Sequence, residues 1–266
     1  MINLAGFDNL PTGVIAQMNK VVDIWKKHLD KQLTGVYLHG SVVLNAFIPG
    51  SSDIDLLIVV EDSLDIPTKL AIARDIIEID GKPCPLEMSA VRLSDVTPWK
   101  TPGNCVFHYS GFWKDRYLER LFNPNVECYI VDNEFPDADV TSYIKIICQC
   151  GIVLHGREIK EVFSDVSDED FWDVISKDID NYNFHDYGPG YLASNILILG
   201  RILSYKETMR ILSKYDAGLW MIDRVPGELK YLPKLAMKIW YEGEQHELPE
   251  YDLEKLRKYL IDHIKK

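Results

Sequence analysis

Three acidic side chains and a glycine turn are the residues of this sequence best placed by type and spacing to do chemistry. Asp53 and Asp55 flank one isoleucine at the head of an apolar run, IDLLIVV (54–60). In a strand, alternate residues share a face, so the two carboxylates point the same way. Carboxylates held side by side repel, and a cation between them relieves the repulsion. Mg²⁺ suits such a pair, because it is hard, takes oxygen ligands and keeps positions open for phosphate oxygens. Gly40 and Ser41 lie upstream, with twelve residues between Gly40 and Asp53. They close a short strand-like run, GVYLHG (35–40), and open what reads as a short helix. A glycine there lets backbone N–H groups approach a phosphate, and a helix start favours the anion. Glu87 sits in another strand-like run, PLEMSAVRL (85–93). If that strand pairs with 54–60, Glu87 reaches the same place, as a third ligand or as a general base.

The elements that must hold these groups follow from periodicity. Residues 12–32 carry Val14, Ile15, Met18, Val21, Val22, Ile24, Trp25 and Leu29, most of them on one helix-period stripe, and Thr12 can cap the start. Residues 66–79 suit a second helix, and 95–104 is a proline-punctuated loop. Beyond it the pattern is helical, over 112–122, 138–153, 168–182, 192–204, 216–223, 230–241 and 251–265. The expected class is α+β: a mixed sheet with helices over 1–163, then an all-α helical bundle over 164–266. The change falls in the polar, acidic stretch 155–170.

A net charge of −12 argues against a nucleic-acid surface, which needs clustered Lys and Arg, and favours a cationic small-molecule partner. The five cysteines are irregularly spaced, which points to buried thiols rather than a disulfide framework. The N-terminus lacks a signal-peptide pattern, and no 18-residue apolar run exists, so a cytoplasmic protein without a membrane span is expected, and a monomer.

The whole run HGSVVLNAFIPGSSDIDLLIVV (39–60) resembles the signature of the polymerase-β-like nucleotidyltransferase superfamily. Further blocks narrow the resemblance to the aminoglycoside (3'')(9) adenylyltransferases. PLEMSAVRLSDVTPW (85–99) is similar to that family's Leu-Glu-Val-Thr…Val-Pro-Trp block, and GFWKDRYLERLFNP (111–124) to its Gly-x-Trp block. DVTSYIKIICQCGIVLHG (139–156) resembles its Asp-Leu-Ala helix, while NILILGRIL and ILSKYDAGLWM resemble its Arg- and Lys-containing helices. The likeness spans roughly residues 10–245, with sparse identities between motifs.

The resemblance implies a nucleotidyltransferase domain followed by a helical one, with ATP and substrate bound between them. It implies that Asp53 and Asp55 hold Mg²⁺ and that Glu87 is the catalytic base. Gly40, Ser41, Ser52 and Asp139 would line the nucleotide site from the first domain, and Arg201, Lys214 and Tyr241 from the second. Trp113 and Asp186 would meet the acceptor. The chain departs from the pattern in two places. The interval from Gly40 to Asp53 is one residue longer than in typical members, and Tyr191 stands where the family has a second acidic contact before the Arg-containing helix. The expected reaction moves AMP from ATP to a hydroxyl of a streptomycin- or spectinomycin-class antibiotic, releasing pyrophosphate. The alternatives are another small-molecule or protein hydroxyl as acceptor, or a non-catalytic nucleotide-binding protein on the same fold.

Overall fold

Six strands form within the first 156 residues, and helices with apolar stripes wrap them. The computed structural model describes residues 4–99, 101–177, 179–182 and 188–266, which divide into two units, Leu4–Asp170 and Phe171–Lys266. The first unit runs α1 (Thr12–Leu29), β1 (Leu33–Leu38), α2 (Gly40–Val43), β2 (Ile54–Val60), α3 (Ile66–Ile79), β3 (Leu86–Arg92), α4 (Leu93–Val96) and β4 (Gly103–Tyr109). It continues through α5 (Lys114–Phe122), α6 (Tyr129–Asp132), β5 (Phe135–Asp137), α7 (Asp139–Cys150), β6 (Ile152–Gly156) and α8 (Ile159–Val162). Helix α9 (Asp168–Ser176) straddles the division, and α10 (Pro189–Thr208), α11 (Lys214–Ile222), α12 (Tyr231–Glu242) and α13 (Glu250–Lys265) complete the chain.

The sheet order is β5-β4-β3-β2-β1-β6. Only β2 and β3 run parallel, linked by α3; every other neighbour is antiparallel. The central strands are buried on both faces, as near-continuous apolar runs require. On β2 every residue is buried except Asp55, and on β3 only Glu87 and Arg92 are not. The polar exceptions therefore mark where the sheet opens to a site. Helices α1 and α3 pack on each other and on the sheet, burying Trp25 edge-on against Phe107 at 5.2 Å between ring centres. Asp65 caps α3 by accepting from the Thr68 N–H at 2.8 Å, with Pro67 in the first turn.

In the second unit α10 is the axis, packed against α11, α12 and α13. Lys206 near its end donates to the carbonyls of His263 and Ile264 at the last turn of α13, where unsatisfied C=O groups favour a cation. Arg257 of α13 in turn holds the carbonyls of Asp180 and Tyr182.

Besides Thr12, which is the first residue of α1 behind Pro11 and does not cap it, three expectations need correction. The region after residue 104 is not purely helical, because β4 pairs with β3, and β5 with β4. The helix expected over 138–153 ends at Cys150, and Ile152 and Val153 enter β6 to pair with β1. The helix expected over 168–182 stops at Ser176, followed by a 3₁₀ turn at Ile179–Asn181. In each case a short apolar segment fits either period, and a partner distant in sequence decides. Of the five free cysteines, Cys84, Cys105 and Cys128 are buried, while Cys148 and Cys150 are only half-buried.

One buried polar side chain ties α1 to the approach to β3. Gln17 donates to the carbonyls of Ile79 (2.9 Å) and Cys84 (2.7 Å) and accepts from the Cys84 N–H (3.0 Å). Gln17→Ala would strand these backbone groups away from water, at a cost of about 2–4 kcal/mol. We expect a lower urea midpoint at unchanged slope, measured by equilibrium unfolding.

Candidate active site

The strand register assembles the site. Asp55 and Glu87 are direct neighbours across the parallel β2–β3 pair, and Asp53 lies one residue before β2. One carboxylate oxygen from each of Asp53, Asp55 and Glu87 falls within 4.8 Å of the other two. All three residues are half-buried. The register settles the geometry left open by the sequence, where Glu87 could reach the aspartates only if its strand paired with theirs.

Gly40 closes the site on the β1 side. The N–H of His39 donates to the Asp55 carbonyl at 3.0 Å, which pins the end of β1 to the start of β2. The chain then turns at Gly40, whose φ is +69°, a left-handed conformation that side-chain-bearing residues rarely adopt. A Cβ on Gly40 would lie 1.8 Å from Oδ2 of Asp55. Glycine is therefore required both for the turn and for the room that Asp55 occupies. The Ser41 hydroxyl oxygen, next in sequence, is buried and has no hydrogen-bond partner among the described residues. A buried hydroxyl without a partner is costly, and a ligand that supplies an acceptor or donor removes the cost. Ser52 does local work: its hydroxyl accepts from the Ile48 N–H at 2.9 Å and shapes the loop that delivers Asp53.

Helix α7 brings a second acidic group. Asp139 is its first residue, and its N–H donates to Asp137 Oδ1 at 3.0 Å. One turn on, the Tyr143 hydroxyl donates to Oε1 of Glu87 at 3.4 Å. The Tyr143 ring stacks on His39 at 4.5 Å between centres, tilted 24°. Burial, with the charges of Asp53 and Asp139 added, pushes the Glu87 carboxyl up to about 7, against the opposing pull of the Tyr143 hydrogen bond. Burial also raises the Asp137 carboxyl and, with the neighbouring carboxylates, raises the Tyr143 phenol, which stays protonated. His39 is pushed down to about 3 by burial, so its imidazole is neutral.

The chemistry of this donor set fits a divalent cation. Three hard carboxylate oxygens converge, their mutual repulsion is unrelieved by any cationic side chain bonded to Asp53 or Glu87 among the described residues, and the orphaned Ser41 hydroxyl lies just past the glycine turn. Asp53 and Asp55 are the residues that would hold it, with Glu87 within reach.

The other candidates fall into separate places. Trp113 stands at the head of α5, packed on the core of the first unit with Phe112 edge-on at 5.1 Å. In the second unit Arg201, Lys214 and Tyr241 sit close together. Arg201 donates to the Leu212 carbonyl at 2.8 Å. Lys214 donates to Ser194 at 3.0 Å and lies 4.0 Å over the Trp240 ring. Tyr241 packs edge-on against Tyr215, and the Arg201 charge opposes the burial that raises its phenol. Tyr191 is exposed in the first turn of α10, and Asp186 lies outside the described residues. Sequence reasoning missed Tyr143 and Asp137. The signal for Tyr143 was its position four residues after Asp139, which puts both on one helix face.

Residues 18–93 match the family model described as "Nucleotidyltransferase domain". With that match beside three carboxylates gathered next to a glycine turn, the chain is a nucleotidyltransferase. Residues 161–265 match "Aminoglycoside adenylyltransferase, C-terminal domain". The chain is 26% identical over 242 residues to the aminoglycoside (3'') (9) adenylyltransferase of Klebsiella pneumoniae, covering 88% of each protein. It is 25% identical over 266 residues to the spectinomycin 9-adenylyltransferase of Campylobacter jejuni, covering 94% of this chain and 93% of that one. Its fold matches the crystal structure of spectinomycin adenyltransferase AAD(9) from Enterococcus faecalis with ATP and spectinomycin, at a TM-score of 0.79 and 24% identity, over 95% of this chain and 99% of that one. Both halves of the chain thus carry family matches, and together they define an aminoglycoside adenylyltransferase-like enzyme. No helix among the described residues is long and apolar enough to cross a membrane.

Two outcomes follow from the geometry. The folded-state Glu87 carboxyl, at about 7, holds its proton where the unfolded chain, near 4.5, has released it. Between these values the folded state binds more protons, so in chelator stability falls as pH rises from about 4.5 to about 7. Mg²⁺ should raise the melting temperature at pH 7.5 and do so less toward pH 5, and Glu87→Gln should flatten the pH trend; calorimetry with and without metal checks both. Gly40→Ala should fold yet lose the Mg²⁺-induced rise, because the new methyl displaces the Asp55 carboxylate.

Proposed function

We propose that this enzyme is a Mg²⁺-dependent O-nucleotidyltransferase that moves AMP from ATP to a hydroxyl of an aminoglycoside-type antibiotic of the streptomycin and spectinomycin class, releasing pyrophosphate. The observation that carries the reaction is the Asp55–Glu87 register, with Asp53 completing a set of oxygens within 4.8 Å. The acceptor class is supported by the activities for which the relatives are named and by the net charge of −12, which draws cationic molecules toward the surface.

Bound at Asp53 and Asp55, Mg²⁺ would supply positive charge to offset the triphosphate and the developing pyrophosphate. Glu87 removes the proton from the acceptor hydroxyl. A carboxyl near 7 is matched to that work at neutral pH, since about half of it is ionised and it is basic enough to take the proton. The acceptor oxygen then forms its bond to the α-phosphorus as the bond to the pyrophosphate oxygen breaks. The turn at Gly40 and Ser41 offers backbone N–H groups and a free hydroxyl to phosphate oxygens, and Ser52 and Asp139 flank the nucleotide. Arg201, Lys214 and Tyr241 provide cationic and aromatic groups for ATP, and Trp113 and Asp186 contact the acceptor. Most of the rate would come from positioning and charge neutralisation, as in related phosphoryl transfers. The first domain is proposed to span residues 1–163 and the helical one 164–266. A different small-molecule or protein hydroxyl is the second reading, favoured by Tyr191 in place of an acidic acceptor contact.

The test is pyrophosphate release from Mg-ATP across streptomycin, spectinomycin and other aminoglycosides. We expect drug-dependent release by the wild type. Glu87→Gln should lower turnover at least about a hundredfold while ATP binding stays nearly intact. Near-normal turnover in that variant would remove Glu87 as the base, and release without any drug dependence would move the acceptor to another class.

A further inference from the structure

Glu87 projects from a strand, and a glutamate carboxylate on a strand has three side-chain torsions to settle before it can accept a proton from a defined direction. Something must choose its rotamer. The Asp55 and Asp53 carboxylates cannot do this, because they repel it. The described hydrogen bond to Glu87 comes from Tyr143, at 3.4 Å to Oε1. This phenol is itself held on both counts that matter. It lies on α7 one turn after Asp139, and its ring lies flat on His39. His39 in turn is anchored: its backbone N–H bonds the Asp55 carbonyl, and its side chain is buried.

A chain of contacts therefore runs from the backbone at Asp55, through His39 and Tyr143, to the carboxylate of Glu87. It begins at the strand that bears the aspartates and ends on the glutamate of the neighbouring strand. Stacking alone would account for an aromatic ring at residue 143 but not for its hydroxyl. A largely buried hydroxyl needs a partner, and most find a backbone carbonyl. This one reaches a charged group of the site instead.

From this geometry we infer that Tyr143 is a positioning residue, which fixes the Glu87 carboxylate for proton abstraction by hydrogen bonding to Oε1, with the His39 ring as its backing. The role involves no proton transfer from the phenol. It rests on the nucleotidyl-transfer reading for its consequence in turnover, but the tether itself can be tested without turnover.

The experiment compares wild type with Tyr143→Phe, which keeps the stacked ring and deletes the hydroxyl. The protein is labelled with ¹³C at glutamate carboxyls, and the Glu87 resonance is assigned by its absence in Glu87→Gln. We expect that resonance to move in Tyr143→Phe at unchanged melting temperature. With an accepted drug, kcat should fall about tenfold while KM for ATP and for the drug stay within about twofold, as loss of a hydrogen bond to a charged group acting only on the base predicts. In a Glu87→Asp background, whose shorter side chain no longer meets the phenol, Tyr143→Phe should cost nothing further. An unmoved resonance overturns the tether. A moved resonance with unchanged kcat overturns the positioning role. A wild type inactive on every drug would count against the proposed acceptor, and the resonance would still decide the tether.

Discussion

The repulsion among Asp53, Asp55 and Glu87 is the constraint around which the first unit is built. Three carboxylates within 4.8 Å are unfavourable, and they stay together only because the surrounding structure leaves them nowhere to go. The parallel register of β2 and β3 fixes two of them side by side, and the buried residues that follow on both strands make that register costly to slip. A shift of one residue would send Glu87 to the other face and bury a charge in the core. Stability given up at the site is offset by the apolar packing of the strands that carry it, and a cation bound there would return part of it.

The closeness of Gly40 to Asp55 extends the same logic. A side chain at residue 40 would occupy the space of the Asp55 carboxylate, and the positive φ would strain it as well. The turn can therefore approach the aspartates only as glycine, and the Ser41 hydroxyl just after it is buried without a hydrogen-bond partner among the described residues. His39, just before the turn, is kept neutral by burial. It serves as a flat surface for Tyr143 and adds no charge to a site already rich in it. In the helical unit, packing and hydrogen bonds set the positions of two cationic side chains. Lys214 lies on the face of Trp240 and donates to Ser194, and Arg201 donates to a backbone carbonyl.

Much of this was legible in the sequence. Residues 66–79 form α3 over the same span that periodicity gave, and the apolar run 54–60 is β2. The Gly-Ser to Asp-x-Asp interval marks the site because the chemistry restricts residue type at each point: glycine for the turn, two aspartates for one strand face. These are local requirements, satisfied within a few residues of chain, so they leave a local trace. The α+β class followed from the same periodicities.

What the tertiary structure decided is what depends on distant partners. Strand β4 reads ambiguously at residues 103–109 and becomes a strand by pairing with β3, and Ile152 and Val153 join β6 by pairing with β1. The parallel register that sets Glu87 against Asp55 is invisible until the strands meet. The link from Tyr143 to Glu87 joins residues 56 apart in the chain. Local sequence determined which groups could do the chemistry, because backbone conformation and side-chain type act over a turn or a strand. Only the fold decided which of them stand together, because pairing and packing are chosen by the whole buried surface.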